Sequence, residues 1–246
     1  MDWIYLSPHF DDVALSCGGL IWEQIHAGDT VGIWTVCAGN PTSGSISPFA
    51  QSLHTRWQTG PSTVDQRKKE DLSSCRLLGA TGYYLNFLDC IYRRHPETGA
   101  FLYASEAALN GTLHPGDSPM ISALQTELHH AIPHGAILVS PLAIGNHVDH
   151  QLTRQALEGM GFPLWYYADY PYVAQHESQL EQLLKAGWVS RVFPVSASAL
   201  AAWQDSIAAH GSQISTFWAN IDDMRRTIAE YLARNHGVCL WRRVEA

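Results

Sequence analysis

The chain has 246 residues, 46% hydrophobic and 15% charged, which is enough apolar material for one folded α/β domain and too much for a disordered one. Fifteen lysines and arginines against 23 aspartates and glutamates give a formal net charge of -8, which excludes a nucleic-acid backbone or an anionic membrane as the main partner. Five scattered cysteines without a C-x-x-C pair exclude a disulfide framework or a cysteine zinc cage, and no apolar run approaches the ~20 residues of a membrane span.

Trp3-Ile4-Tyr5-Leu6 reads as a short buried strand, stopped by Ser7-Pro8. The chain enters that strand at once, so no signal peptide is expected, and reduced thiols point to the cytoplasm. From Asp12 to His26 apolar residues recur at helical spacing (Val13, Leu20, Ile21, Ile25), and Gly28 ends the helix. Residues 30–37 alternate and are β-branched, a second strand. Strand, helix and strand so close together make a βαβ unit, hence a parallel sheet. Residues 38–62, rich in Gly, Pro, Ser and Thr, predict a long loop. A helix is expected over 64–78, closed by Gly79, and a third strand over 83–87. Residues 93–119 are a second irregular stretch. A helix over 120–131 leads into the clearest buried strand, 136–140. A helix over 150–159 and a strand over 163–167 follow, and the last third carries helices near 198–210 and 224–235.

The pattern predicts one doubly wound, Rossmann-like domain over 1–246, a mainly parallel sheet flanked by helices. The two irregular stretches read as substrate walls or lids, with Phe49, Trp57, Tyr92 and Tyr103 available to lie against a substrate's ring. Arg67-Lys68-Lys69 and Arg242-Arg243 read as solvated faces.

Two segments carry chemistry. Pro8-His9-Phe10-Asp11-Asp12 lies between the first strand and its helix, and Asn146-His147-Val148-Asp149-His150 follows the strand ending at Ser140. Ligands of open parallel sheets bind beyond the carboxyl ends of the strands, so both segments are expected at one crevice. His9 and Asp12 stand three apart, as do His147 and His150, so each pair can share a face. Two imidazoles and a carboxylate from this group make a catalytic zinc shell with one position open for water. Such a shell lowers the pKa of the bound water to about 7. Asp11, next to a ligand but pointing differently, suits the base that takes its proton. Spacing alone leaves open which histidine of the second segment is the ligand.

The two motifs resemble the PHPDD-type and HPDH-type hallmarks of the LmbE-like, or PIG-L, family of zinc-dependent N-deacetylases. Softer similarity extends to Arg67 with Glu70 or Asp71, to Asp89, to Tyr170-Pro171-Tyr172 and to His210-Gly211-Ser212-Gln213. The resemblance implies that His9, Asp12 and His150 bind one zinc, or another divalent ion, per chain. It implies Asp11 as general base, and His147 as the group that stabilises the tetrahedral intermediate or protonates the leaving amine. It further implies that Asp149 orients a catalytic histidine and that Arg67 and Asp89 approach the substrate. Phe10 and Val148 depart from the family's prolines, and Val13 from a frequent glutamate. Gly145-Asn146 lacks a tyrosine that some members place before the second motif, leaving Tyr166, Tyr167, Tyr170 and Tyr172 as substitutes.

The expected function is hydrolysis of an acyl group, in family terms acetyl, from an N-acylated small molecule such as an N-acetylglucosamine-type amino sugar. An amidase acting on a larger conjugate would use the same residues. A metal- or sugar-binding module without catalysis would need no Asp11. A phosphohydrolase would need a second ligand set, and a dehydrogenase the missing G-x-G-x-x-G.

Overall fold

The computed structural model describes residues 1–42, 44, 46–185 and 187–243; positions 43 and 45 of the expected loop lie outside the described residues. The chain opens with β1 (Asp2–Ser7), α1 (Asp12–His26) and β2 (Thr30–Thr35), the βαβ unit read from the sequence. It continues through α2 (Pro48–Arg56), α3 (Thr63–Leu78), β3 (Thr81–Tyr84), the single turn α4 (Glu106–Leu109) and α5 (Ser118–Ala131). Next come β4 (Ile137–Pro141), α6 (Val148–Glu158), β5 (Leu164–Tyr167), α7 (Tyr172–Gln175) and α8 (Glu177–Lys185). The chain closes with β6 (Trp188–Phe193), α9 (Ala197–Ala208), α10 (Gly211–Phe217), α11 (Ile221–Asn235) and β7 (Val238–Arg243).

The strands form one sheet in the order β3-β2-β1-β4-β5-β7-β6. The five from β3 to β5 are parallel, while β7 runs antiparallel to both β5 and β6. The expected mainly parallel, doubly wound fold is therefore present, with an antiparallel edge added. From β1 the chain winds outward to β3, then returns to β4 on the other side of β1. The topological switch thus lies between β1 and β4, where a crevice opens at the carboxyl ends of the strands.

The central strands are buried on both faces, as a sheet covered by two helical layers requires; Tyr5, Leu6 and Val139 are fully enclosed. On one layer α1 approaches α9 closely because Gly18 has no side chain, and a Cβ there would lie 2.5 Å from Trp203 Cδ1. Trp203 seals this contact by donating from Nε1 to the Ala14 carbonyl at 2.7 Å.

Three expectations are corrected. Residues 38–62 are not one loop, because Ser47 caps α2 by accepting from the Ala50 N–H, Pro48 starts it, and Ala50 and Leu53 are buried. Strand β3 ends at Tyr84 rather than 87, after which Cys37 and Asn86 form an isolated bridge. Arg67 is not part of a solvated face: it is buried, while Lys69 is exposed. Among the described residues no helix is long and apolar enough to cross a membrane.

Candidate metal centre and catalytic cavity

The first motif occupies the turn between β1 and α1. Ser7 ties it down, donating from Oγ to the His9 carbonyl at 2.5 Å and accepting from the Val13 N–H at 3.2 Å. The second motif follows β4 after a turn in which Ala143, Gly145 and Asn146 all take left-handed conformations. These turns meet across the switch point. His9 Nδ1 lies 3.2 Å from Asp12 Oδ2, and His150 Nε2 lies 3.3 Å from the same oxygen. Atoms bound tetrahedrally at ~2.0–2.1 Å from one ion stand ~3.3 Å apart, so these separations fit a shared zinc.

The opposite ring nitrogens are already engaged. His9 Nε2 donates to Asp149 Oδ2 at 2.9 Å, and His150 Nδ1 to Asp169 Oδ1 at 2.7 Å. A carboxylate behind each ring is the usual partner of a metal-ligating histidine. It leaves the facing nitrogens, His9 Nδ1 and His150 Nε2, for an ion. His150 Nε2 is buried without a hydrogen-bond partner, an orphan that a metal would satisfy. The donor set of two imidazoles and one carboxylate therefore fits zinc.

The charges agree. Burial lowers the affinity of His150 for a proton, but Asp12 and Asp169 outweigh it and raise its pKa to about 10. His9 is likewise raised, with burial opposed by Asp89, Asp12 and Asp149. These carboxylates favour a cation on the rings, and a divalent ion can take the place of those protons. His147 behaves oppositely: burial and the neighbouring His9 and His150 hold it well below the ordinary imidazole value, hence neutral. Its Nδ1 accepts from the Asp149 N–H at 3.3 Å, so its proton resides on Nε2. The rings of His9, His147 and His150 are near enough that one nitrogen of each falls within 4.8 Å of the others.

Asp11 accepts from Arg67 Nη2 at 3.1 Å. Arg67 is sandwiched, its guanidinium 4.9 Å from the Trp57 ring and 5.6 Å from that of Phe10, and 4.0 Å from Asp89 Oδ2. Glu70 faces elsewhere and accepts from the Ser212 hydroxyl at 2.6 Å, anchoring the start of α10. His210 is enclosed near Asp11 and Arg67, and burial lowers its pKa to about 4. A cavity of about 280 Å3 opens over the centre, lined among others by His9, Asp11, Asp12, His147, Asp89 and Tyr172.

The structure brings all eight residues singled out from the sequence to this one region. The Asp149 carboxylate lies against His9 rather than a histidine of its own motif. Of the aromatic residues expected to meet a sugar, only Trp57 reaches the cavity. Tyr92 is buried against His54, its hydroxyl 2.6 Å from Nε2, and Tyr103 donates to Asp117 at 2.6 Å. Phe49 packs in the same apolar cluster. Among the substitute tyrosines, Tyr167 donates to the Leu6 carbonyl, Tyr166 to Glu158, and Tyr170 packs on Trp218 and Tyr231. Tyr172 alone lines the cavity, and Gly145 makes room for it: a Cβ there would lie 2.9 Å from Tyr172 Cβ.

Sequence reasoning missed Asp169 and Arg93. Asp169 follows β5 as His9 follows β1, so the strand-end rule could have found it. Arg93 lies in an irregular stretch and carries no such signal. All five cysteines are free. Cys37 and Cys90 each come near Asp149 and a histidine, but burial, reinforced by Asp149, keeps both thiols protonated and poor ligands.

Comparison with known proteins agrees with this geometry. The family model described as PIG-L, GlcNAc-PI de-N-acetylase, matches residues 4–160. A 2'-N-acetylparomamine deacetylase of Niallia circulans is 32% identical over 202 residues, covering 75% of this chain and 71% of that protein. One from Streptomyces fradiae is 29% identical over 187 residues, covering 71% of this chain and 59% of its own length. The crystal structure of a zinc-inhibited form of teicoplanin deacetylase Orf2 superposes with a TM-score of 0.84 at 24% identity, over 100% of this chain and 99% of the other.

Proposed function

The chain belongs to the PIG-L family of GlcNAc-PI de-N-acetylases, and on that premise we propose that it is a zinc-dependent hydrolase removing the acetyl group from an N-acetylglucosamine-type amino sugar. The observation that carries this reading is the meeting of two imidazole nitrogens on one oxygen of Asp12, each ring backed by its own carboxylate. In this reading His9 Nδ1, Asp12 Oδ2 and His150 Nε2 hold one zinc ion. Zinc bound there supplies a Lewis acid and a water whose pKa falls to about 7.

The chain's own residues do the rest. Arg67 fixes one oxygen of Asp11 and leaves the other to take the proton of the attacking water. His147, neutral with its proton on Nε2, donates to the acyl oxygen as that oxygen gains charge. The amine departs with the proton that Asp11 received. Asp89 accepts from a sugar hydroxyl at the cavity wall, and Trp57 offers a ring face beside Arg67.

The substrate class is supported by the Niallia circulans relative, whose name specifies an N-acetylated amino sugar. The cavity of about 280 Å3, just below the ~300–1,000 Å3 usual for ligand sites, suits a small molecule. Free thiols fit a cytoplasmic setting. The test is elemental analysis coupled to acetate release from N-acetylglucosamine derivatives and from acetyl-lysine peptides. One zinc per chain with faster release from the sugars is expected. Faster release from the peptides would overturn the sugar, and no metal-dependent release from either would overturn the hydrolase.

A further inference from the structure

The irregular stretch after β3 does more than wall the cavity. Its first residues deliver Arg93 into the interior, where the side chain is 6% exposed and Nη1 lies 2.5 Å from Asp149 Oδ1. Asp149 is itself fully enclosed, and its other oxygen accepts from His9 Nε2 at 2.9 Å and from the Cys90 N–H at 3.0 Å. Behind Arg93, Nε lies 3.1 Å from Asp117 Oδ1, and the guanidinium stands 5.2 Å from the Tyr103 ring. Tyr103 closes the line, donating to Asp117 at 2.6 Å and accepting from the His114 N–H at 2.7 Å. A buried run of alternating charge, Asp117–Arg93–Asp149, therefore ends on His9.

The run bears on how His9 presents itself. Asp89 Oδ2 lies 3.8 Å from the same His9 Nε2, a second carboxylate that the ring could turn toward. Both carboxylates have an arginine nearby, but Arg67 Nη1 stands 4.0 Å from Asp89, whereas Arg93 Nη1 lies 2.5 Å from Asp149. Arg93 spans two carboxylates at once, Asp117 from Nε and Asp149 from Nη1, and so pins Asp149 by charge from a group that is itself held in place. With Asp149 restrained, the His9 ring is held with Nδ1 toward Asp12.

We propose that Arg93 is a positioning residue of the metal centre, fixing Asp149 so that His9 offers Nδ1 to the ion. The inference rests on the metal-centre reading above. It reassigns part of the 93–119 stretch from substrate contact to support of a metal ligand.

The experiment measures zinc affinity by competition with a chromophoric chelator, together with the visible absorption of the cobalt-substituted protein, for the wild type, Arg93→Gln, Arg93→Lys and Tyr103→Phe. Loss of the group that contacts a metal ligand costs ~10–100-fold in affinity, and for Arg93→Gln, one step further out, a fall of up to ~10-fold with an altered cobalt spectrum is expected. Arg93→Lys, which keeps the charge but has one ammonium in place of the two nitrogens that span Asp117 and Asp149, is expected in between. Tyr103→Phe loosens the same stretch but leaves Arg93 on both carboxylates, so its zinc affinity and cobalt spectrum should match the wild type. Wild-type affinity in folded Arg93→Gln overturns the proposal, as does a Tyr103→Phe defect of equal size. Should Arg93→Gln fail to fold, Arg93→Lys decides, and wild-type affinity there overturns it. A wild type that binds neither zinc nor cobalt would instead sink the metal-centre reading itself.

Discussion

His9 and His150 reach the same oxygen of Asp12 from neighbouring strand ends, yet they are held in different ways. Each has its second nitrogen on an aspartate from the next strand along: Asp149 beyond β4 for His9, Asp169 beyond β5 for His150. Asp149 is backed by Arg93, whereas Asp169 accepts from the Ile144 N–H at 2.8 Å and has no lysine or arginine partner among the described residues. Burial works against charge at both. At Asp149 the arginine and the His9 hydrogen bond overcome it and hold the carboxyl well below the usual range. At Asp169 burial prevails over the His150 contact and the carboxyl is pushed up. A parallel sheet can line up side chains at successive strand ends, but compensation for a buried charge must come from elsewhere. Here it comes from the stretch after β3.

The largest effect should come from removing a facing nitrogen. His150→Ala is expected to lose zinc and bring deacetylation to background, with partial recovery at excess metal. His147→Ala should keep the metal and lose ~10²–10³-fold in kcat, the usual worth of one donor to a developing oxyanion. Elemental analysis of the two variants separates these roles. Metal loss from His147→Ala with retention in His150→Ala would require the ligand set to be rebuilt around His147. Asp11→Asn should also keep zinc while kcat falls by ~10²–10⁴-fold, and near-normal turnover would send the proton elsewhere.

The orienting aspartates sharpen the comparison. Asp149→Asn and Asp169→Asn should each weaken zinc binding by ~10–100-fold. They should part company in stability. Asp149→Asn leaves the buried Arg93 with Asp117 as its one carboxylate partner and should cost up to ~3–5 kcal/mol, the range for breaking a buried ion pair. Asp169→Asn disturbs hydrogen bonds without stranding an arginine and should cost ~1–3 kcal/mol. Urea unfolding reads the difference, and equal losses would mean that Arg93 is satisfied without Asp149.

The same contrast explains what was legible in the sequence. The β1–α1–β2 unit was readable to within a few residues because an apolar strand, a helical period and a closing glycine follow one another locally. Both motif turns were legible because strand ends of a parallel sheet converge whatever lies between them. Helix α2 was hidden because Ala50 and Leu53 stand in a segment dominated by Gly, Pro and Ser, although Ser47-Pro48 did carry a cap signal. Strand β6 has four exposed residues in succession, so no alternation marks it, and it exists by pairing with β7. Arg93, whose role lies in a partner 56 positions away in the chain, had no local pattern to announce it.

The smallest effect concerns a third buried aspartate, one that lies off the metal centre. Asp71 on α3 is 1% exposed, accepts from the Tyr84 hydroxyl at 2.6 Å, and has no arginine or lysine in contact among the described residues. Burial pushes its pKa from 3.8 up to about 7, against the hydrogen bond from Tyr84. Between these two values the folded protein holds a proton that the unfolded chain releases. Stability from this group is therefore fully present below pH ~4 and declines as pH rises toward 7. Asp71→Asn keeps the shape and the acceptor oxygen for Tyr84 but cannot ionise. The variant should match the wild type near pH 4 and exceed it at pH 8, by roughly 2–4 °C in Tm for each kcal/mol relieved. Thermal unfolding of both proteins at the two pH values cancels the contributions of all other titrating groups. A constant difference between them would mean that Asp71 is ionised in the folded state even without a cation, and that hydrogen bonds alone can hold a buried charge in this fold.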